Sequence, residues 1–196
     1  MDNTTKTNKP ANTQEEKENI GRELLSLLLY LLAVFAVTFF ILHFVGQRTQ
    51  VSGSSMELTL SDGDNLIMDK LTYHFKDPER FDIVIFPVDN DDYYIKRVIG
   101  LPGETVRIDE EGNIYINGSL LEESYGIAVI EDPGRAYDTI KLNAGEYFVL
   151  GDNRNASLDS RYPEVGNISR DRILGRAWLR IYPFNKITFL KNYEVK

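Results

Sequence analysis

The stretch SGSSMELTL, residues 52–60, sets three serines and a methionine around Gly53. A serine hydroxyl is a poor nucleophile at neutral pH unless a neighbouring base removes its proton. Histidine is the usual base, and the chain has two. His43 lies inside a long apolar run, and His74 sits in the polar stretch TYHFKDPER with no serine motif beside it, so a Ser-His-Asp triad and a histidine metal site are both poorly supported. The absence of cysteine excludes thiol nucleophiles, disulfides and thiolate metal sites. If Ser55 is a nucleophile, the remaining base is a lysine. A lysine can accept a proton only when neutral, and neutrality at physiological pH requires burial.

Lys96 meets that requirement on pattern. In DDYYIKRVIG side chains alternate, so Tyr94, Lys96 and Val98 share one face and Tyr93, Ile95, Arg97 and Ile99 the other. An exposed lysine guarding an edge strand has the same pattern, and the strand alone leaves both readings open. A third segment, GDNRNASLDSR at 151–161, gathers Ser157, Ser160, Asp152, Asp159, Arg154 and Arg161 within eleven residues. A polar turn with local ion pairs would use the same residues.

These segments need a scaffold. From Gly46 onward the sequence reads as short strands rich in Val, Ile, Tyr and Phe at 65–69, 81–87, 92–100, 104–108, 113–118, 138–142, 146–150 and 173–183. Glu111-Gly112-Asn113 and Asn117-Gly118 are hairpin signals, and no run there has helical periodicity, so the expected fold is mainly β, a compact barrel or sandwich. Residues 24–45, LLSLLLYLLAVFAVTFFILHFV, carry no Asp, Glu, Lys or Arg and are long enough for a transmembrane helix, since about 20 residues cross the hydrocarbon layer. The run exceeds the apolar core of a secretory signal and does not end in small residues. Residues 1–23 read as a disordered cytoplasmic tail, and 46–196 as one extracytoplasmic catalytic β domain. Lys17 and Arg22 before the span, against Arg48 after it, favour a cytoplasmic N-terminus by a small margin. The ten residues from Val45 to Ser55 reach at most about 35 Å, which keeps the serine close to the bilayer surface. With 30 acidic against 22 basic residues and no basic block interleaved with aromatics, nucleic acid is not an expected partner.

Together the segments resemble the type I signal peptidase family of membrane-anchored serine-lysine proteases. A spanning helix is followed by GSSMELTL, then RFDIVIF at 80–86, YIKRVIGLPGETV at 94–106 and GDNRNASLDSR, four boxes in the family's order. The resemblance implies that Ser55 attacks the scissile carbonyl and Lys96 is the general base. It implies that Ser157 orients the lysine nitrogen by a hydrogen bond, and that Asp159, Arg161 and Arg97 form an ion-paired scaffold behind the site. Gly53 stands where some members carry an oxyanion-binding serine, leaving the Ser55 backbone N–H to take more of that charge. Val51, Met56, Leu60, Ile85 and Ile95 fall on the family's substrate-pocket positions, although plain core packing serves Leu60 and Ile85 equally well.

The family cleaves exported preproteins after small residues, Ala-X-Ala in type, so the implied partners are secretory preproteins and the lipid bilayer of the cell membrane. No metal, organic cofactor or obligate partner chain is implied. Leu58 and Phe81 depart from the family's usual proline and glycine. Two rivals are weaker. A self-cleaving repressor-type regulator would need a DNA-binding segment, and a membrane-anchored binding module, or a family member that has lost catalysis, would have no reason to retain the whole set of Ser55, Lys96, Ser157 and Asp159.

Overall fold

The computed structural model describes residues 13–40, 46–88, 92–126 and 128–190, with side chains in the first helix described from Asn19 to Phe39. The chain divides into two compact units, Met1–His43 and Phe44–Lys196. Helix α1, Thr13–Phe40, forms the first. Within it Asn19–Phe39 is long and apolar enough to cross a membrane. Its leucines and aromatics are exposed, Leu24 at 61% and Phe35 at 69%, as suits a surface whose solvent is lipid. The helix begins earlier than expected, so the unstructured reading of residues 13–23 is corrected. Gln14, Glu15, Glu16, Lys17 and Glu18 are good helix formers, and acidic residues in a first turn complement the helix dipole, so an apolar helix propagates backwards through them at little cost. The last five residues of the expected span, 41–45, lie outside the described residues, as do residues 1–12 of the expected tail.

The second unit is mainly β. Strands β1 (Gly46–Gln50), β2 (Asn65–Asp69), β3 (Ile83–Pro87) and β4 (Tyr93–Gly100) come first. A small excursion follows with β5 (Thr105–Ile108), β6 (Ile114–Ile116), β7 (Ser119–Leu120) and β8 (Ile140–Lys141). The chain returns through β9 (Glu146–Leu150), β10 (Ile168–Ser169), β11 (Gly175–Tyr182) and β12 (Thr188–Phe189). The large antiparallel sheet runs β1-β2-β11-β3-β4-β9-β10 with β12 on β11, and the small sheet runs β7-β6-β5-β8. The large sheet is not closed by a β1–β10 pairing, so of the two expected architectures the packed sheets are the one observed. The expected strands all appear within a few residues of their bounds. β1, β7, β10 and β12 went unread because GQRTQ is polar and the other three are two residues long, too short to show alternation.

The central strands of the large sheet are buried on both faces, and β3 shows how. Ile83 and Ile85 enter one cluster with Val51, Met56, Leu60, Leu66, Met68 and Ile95, while Val84 and Phe86 enter another with Val98, Tyr147 and Val149. A third cluster, including Ile99, Val106, Ile114, Phe148 and Leu150, joins the small sheet to the large one. β4 contributes to all three and lies between β3 and β9, so Lys96 is on an interior strand, and the edge-strand alternative fails. In the small sheet Asn117 and Gly118 both have positive φ, the backbone form that a two-residue hairpin between twisted strands requires.

Candidate active site

Lys96 lies opposite Val84 of β3 and is 3% exposed. Its Nζ donates a 2.6 Å hydrogen bond to Ser55 Oγ and sits 5.1 Å from the centre of the Tyr94 ring. Burial is the chief cause that lowers its pKa from the ordinary 10.5 to about 8; Asp159 and Asp152 pull it back up, and Arg161 pushes it down. The loss of hydration disfavours the ammonium more than the two carboxylates favour it, so the amine is largely available as a base in mildly alkaline solution.

Ser55 is half-buried, on the turn between β1 and β2. That turn is fixed from both sides. Leu60 N–H donates to Met56 O at 2.8 Å, and Gly53 N–H to Asp62 Oδ1 at 2.8 Å. Asn153 N–H donates to Ser55 O at 3.1 Å, and Asn153 Nδ2 to Ser54 O at 3.2 Å, tying the turn to the loop after β9. Among the described residues no acceptor takes the Ser55 N–H, which leaves it available to an incoming oxyanion. Gly53, with φ of 86°, is exposed and has open space where a Cβ would stand.

The loop from Gly151 to Arg161 is a network of buried charge. Arg97 Nε and Nη2 grip the two Asp152 carboxylate oxygens at 2.8 and 2.6 Å, and its Nη1 donates to Phe81 O at 2.9 Å. Thr59 Oγ1 donates to Asp152 at 2.6 Å, binding the serine turn to the same carboxylate. Arg161 and Asp159 form a second two-pronged pair at 2.8 and 3.0 Å, and Gly151 N–H donates to Asp159 at 3.1 Å. All four charges are 1% exposed or less, so the desolvation of each is offset by its close pairing and by the hydrogen bonds around it. The expected scaffold residues are therefore together, but the partner of Arg97 is Asp152 and not Asp159. Ser157 is 7% exposed beside the pair, and its Oγ has no partner among the described residues. The bond expected from it to Lys96 is not present; the hydroxyl lies against Gly151, where an added Cβ would come within 2.2 Å of it and 2.5 Å of Ser55 O.

A cleft of about 340 Å³ opens over the serine and lysine, walled by Val51, Met56, Tyr93, Tyr94, Ile95, Ala156 and Leu158. Three expected pocket residues, Val51, Met56 and Ile95, are on its wall. Leu60 and Ile85 are fully buried in the core cluster beneath and do not reach it. Sequence reasoning missed Tyr94, Asp152, Asn153, Ala156 and Leu158 as parts of the site. Tyr94 could have been found from alternation, two residues before Lys96, and Asp152 from its place in the loop motif. Phe81 explains its own departure from the family's glycine: its φ is 71°, a conformation glycine enters freely and phenylalanine rarely, and its ring packs on Tyr125 with centres 5.0 Å apart.

The sequence profile of the family described as "Signal peptidase, peptidase S26" matches residues 23–182, from within α1 to the end of β11. The chain belongs to the signal peptidase S26 family. Within it the chain is 42% identical over 154 residues to "Probable signal peptidase I-2" of Synechocystis sp., covering 75% of this chain and 68% of that one. It is 40% identical over 153 residues to "Signal peptidase I" of Leptolyngbya laminosa, covering 74% and 72%. To "Signal peptidase I" of Bacillus licheniformis it is 33% identical over 187 residues, covering 89% and 97%. The S26 match spans Ser55, Lys96 and the whole of the 151–161 loop.

Proposed function

We propose that the chain is a membrane-anchored serine endopeptidase that removes signal peptides from exported preproteins by a Ser55–Lys96 dyad. The observation that carries this reading is the 2.6 Å approach of Lys96 Nζ to Ser55 Oγ with the lysine almost wholly buried. Neutral Lys96 takes the Ser55 proton as Oγ attacks the scissile carbonyl. The oxyanion that forms is met by the Ser55 N–H, a kind of contact worth about 3 kcal/mol per donor. The lysine ammonium then protonates the leaving amine, giving an ester-linked acyl-enzyme. Water, deprotonated by the same lysine, attacks the ester and frees Ser55. Asp159, Arg161 and Arg97 support the pair through the ion pairs that hold the loop against it, and the Ser157 hydroxyl takes no part in that hold. Val51, Met56 and Ile95 form shallow apolar walls, which favour small residues before the cut by clash and desolvation of larger ones.

The apolar Asn19–Phe39 segment is the proposed membrane anchor, with the tail cytoplasmic and the β domain outside. Leu58 and Phe184, 77% and 78% exposed, suit a domain that works at a lipid surface. The test is cleavage of a preprotein bearing a small-X-small motif. Ser55→Ala and Lys96→Met are each expected to reduce it to background with an unchanged circular dichroism spectrum. Full activity in either variant removes the dyad.

A further inference from the structure

We propose that Glu123 and Tyr125, in the segment between β7 and β8, are positioning residues for the Ser55–Lys96 pair. The inference rests on the dyad reading. Two lines of contact run from this segment to the site. In the first, Glu123 Oε1 pairs with Arg154 Nη1 at 2.7 Å, with side-chain exposures of 11% and 3%. Arg154 Nε then donates to Gly151 O at 3.1 Å, and Gly151 lies directly against the Ser157 hydroxyl and Ser55 O. In the second, the Tyr125 ring lies under the Arg97 guanidinium at 3.6 Å. Arg97 grips Asp152, which in turn accepts from Thr59 in the serine turn.

Glu123 stands at the origin of both lines, because its Oε2 accepts the Tyr125 backbone N–H at 2.7 Å while its Oε1 holds Arg154. Gly126 completes the fit: a Cβ there would come within 3.1 Å of the Arg154 guanidinium carbon, so the arginine lies close against this backbone. One carboxylate thus braces the start of the loop that faces the lysine at two points, Gly151 through Arg154 and Asp152 through Tyr125 and Arg97. Displacement of reacting groups by about 1 Å can cost about 100-fold in rate, and this brace has no surface of its own on the cleft. Its effect therefore falls on turnover and spares substrate binding.

The experiment uses the full chain in detergent micelles with a preprotein substrate. Glu123→Gln and Tyr125→Leu are each expected to lower kcat about 10-fold with KM within about twofold, while Tyr125→Phe, which keeps the stacked ring, recovers at least half of the wild-type kcat. Tyr125→Leu is also expected to move the rising limb of the pH profile upward. Lys96 faces Tyr94 of its own strand, Ser55 of the turn, and Asp152, Asp159 and Arg161 of the loop. A loosened Arg97 leaves Asp152 less compensated, and that carboxylate favours the ammonium. Wild-type kcat in both Glu123→Gln and Tyr125→Leu overturns the proposal. So does a loss that leaves the limb in place and is as deep in Tyr125→Phe, since that describes a purely structural role. The near-isosteric Glu123→Gln keeps the test valid if Tyr125→Leu does not fold. Retained cleavage in Ser55→Ala sinks the dyad reading instead, whatever these variants do.

Discussion

Lys96 is costly to keep where it is, and the cost is measurable. Its pKa falls from 10.5 to about 8 on folding, so between those values the unfolded chain binds more protons than the folded one and stability rises with pH. Below pH 8 the full penalty applies, about 3 kcal/mol at 1.36 kcal/mol per unit. Lys96→Met is therefore expected to melt above the wild type at pH 7, with the gap closing as pH rises from 8 to 10.5 in a thermal-melt series. On the proposed dyad mechanism the same titration sets activity: kcat/KM is expected to rise with pH and level off above about 8, as the amine loses its proton. Gly151 carries the tightest steric demand at the site. A Cβ there meets both the Ser157 side chain and the Ser55 carbonyl, and the latter is backbone that has no rotamer to change. Gly151→Ala is expected to cost about 100-fold in kcat, read in a single-turnover assay against a melt that shows the fold intact.

At the scale of the element, the 151–161 loop stays in place through paired charge. Asp152 answers Arg97 and Asp159 answers Arg161, while Ser160 anchors the loop to β9 through Val149 N–H at 3.0 Å. Arg97→Lys would keep the charge and lose both the two-pronged grip on Asp152 and the flat stack on Tyr125. It is expected to lower stability by about 2 kcal/mol, the scale of one hydrogen bond between charged groups, with a parallel fall in turnover; a denaturant midpoint and a kcat measurement check both. The sequence shows acids and arginines in this loop but not their pairing. Arg97 is 55 residues from Asp152, and only the β4–β9 pairing of Arg97 with Leu150 brings that carboxylate within reach. Tyr125 and Glu123 carry no local signal at all, because their partners lie far along the chain, Arg97 on β4 before the small sheet and Arg154 in the loop after it.

At the scale of the whole molecule, the proposed reading gives anchoring to the apolar helix and chemistry to the β unit. A membrane-impermeant acylating probe directed at Ser55 is expected to label the protein in intact cells, with no labelling of Ser55→Ala. Labelling only after lysis would place the β unit in the cytoplasm and reverse the proposed topology.

The sequence alone determined the apolar segment and the mainly β character and supplied the candidate serine and lysine, since each is written in local composition, alternation or a motif of consecutive residues. The tertiary structure decided whether Lys96 is inside or at an edge, which carboxylate answers Arg97, and which apolar residues face the cleft. Burial, ion pairing and cleft walls depend on residues distant in the chain meeting at fixed distances. No local pattern holds those distances; only the packed sheets set them.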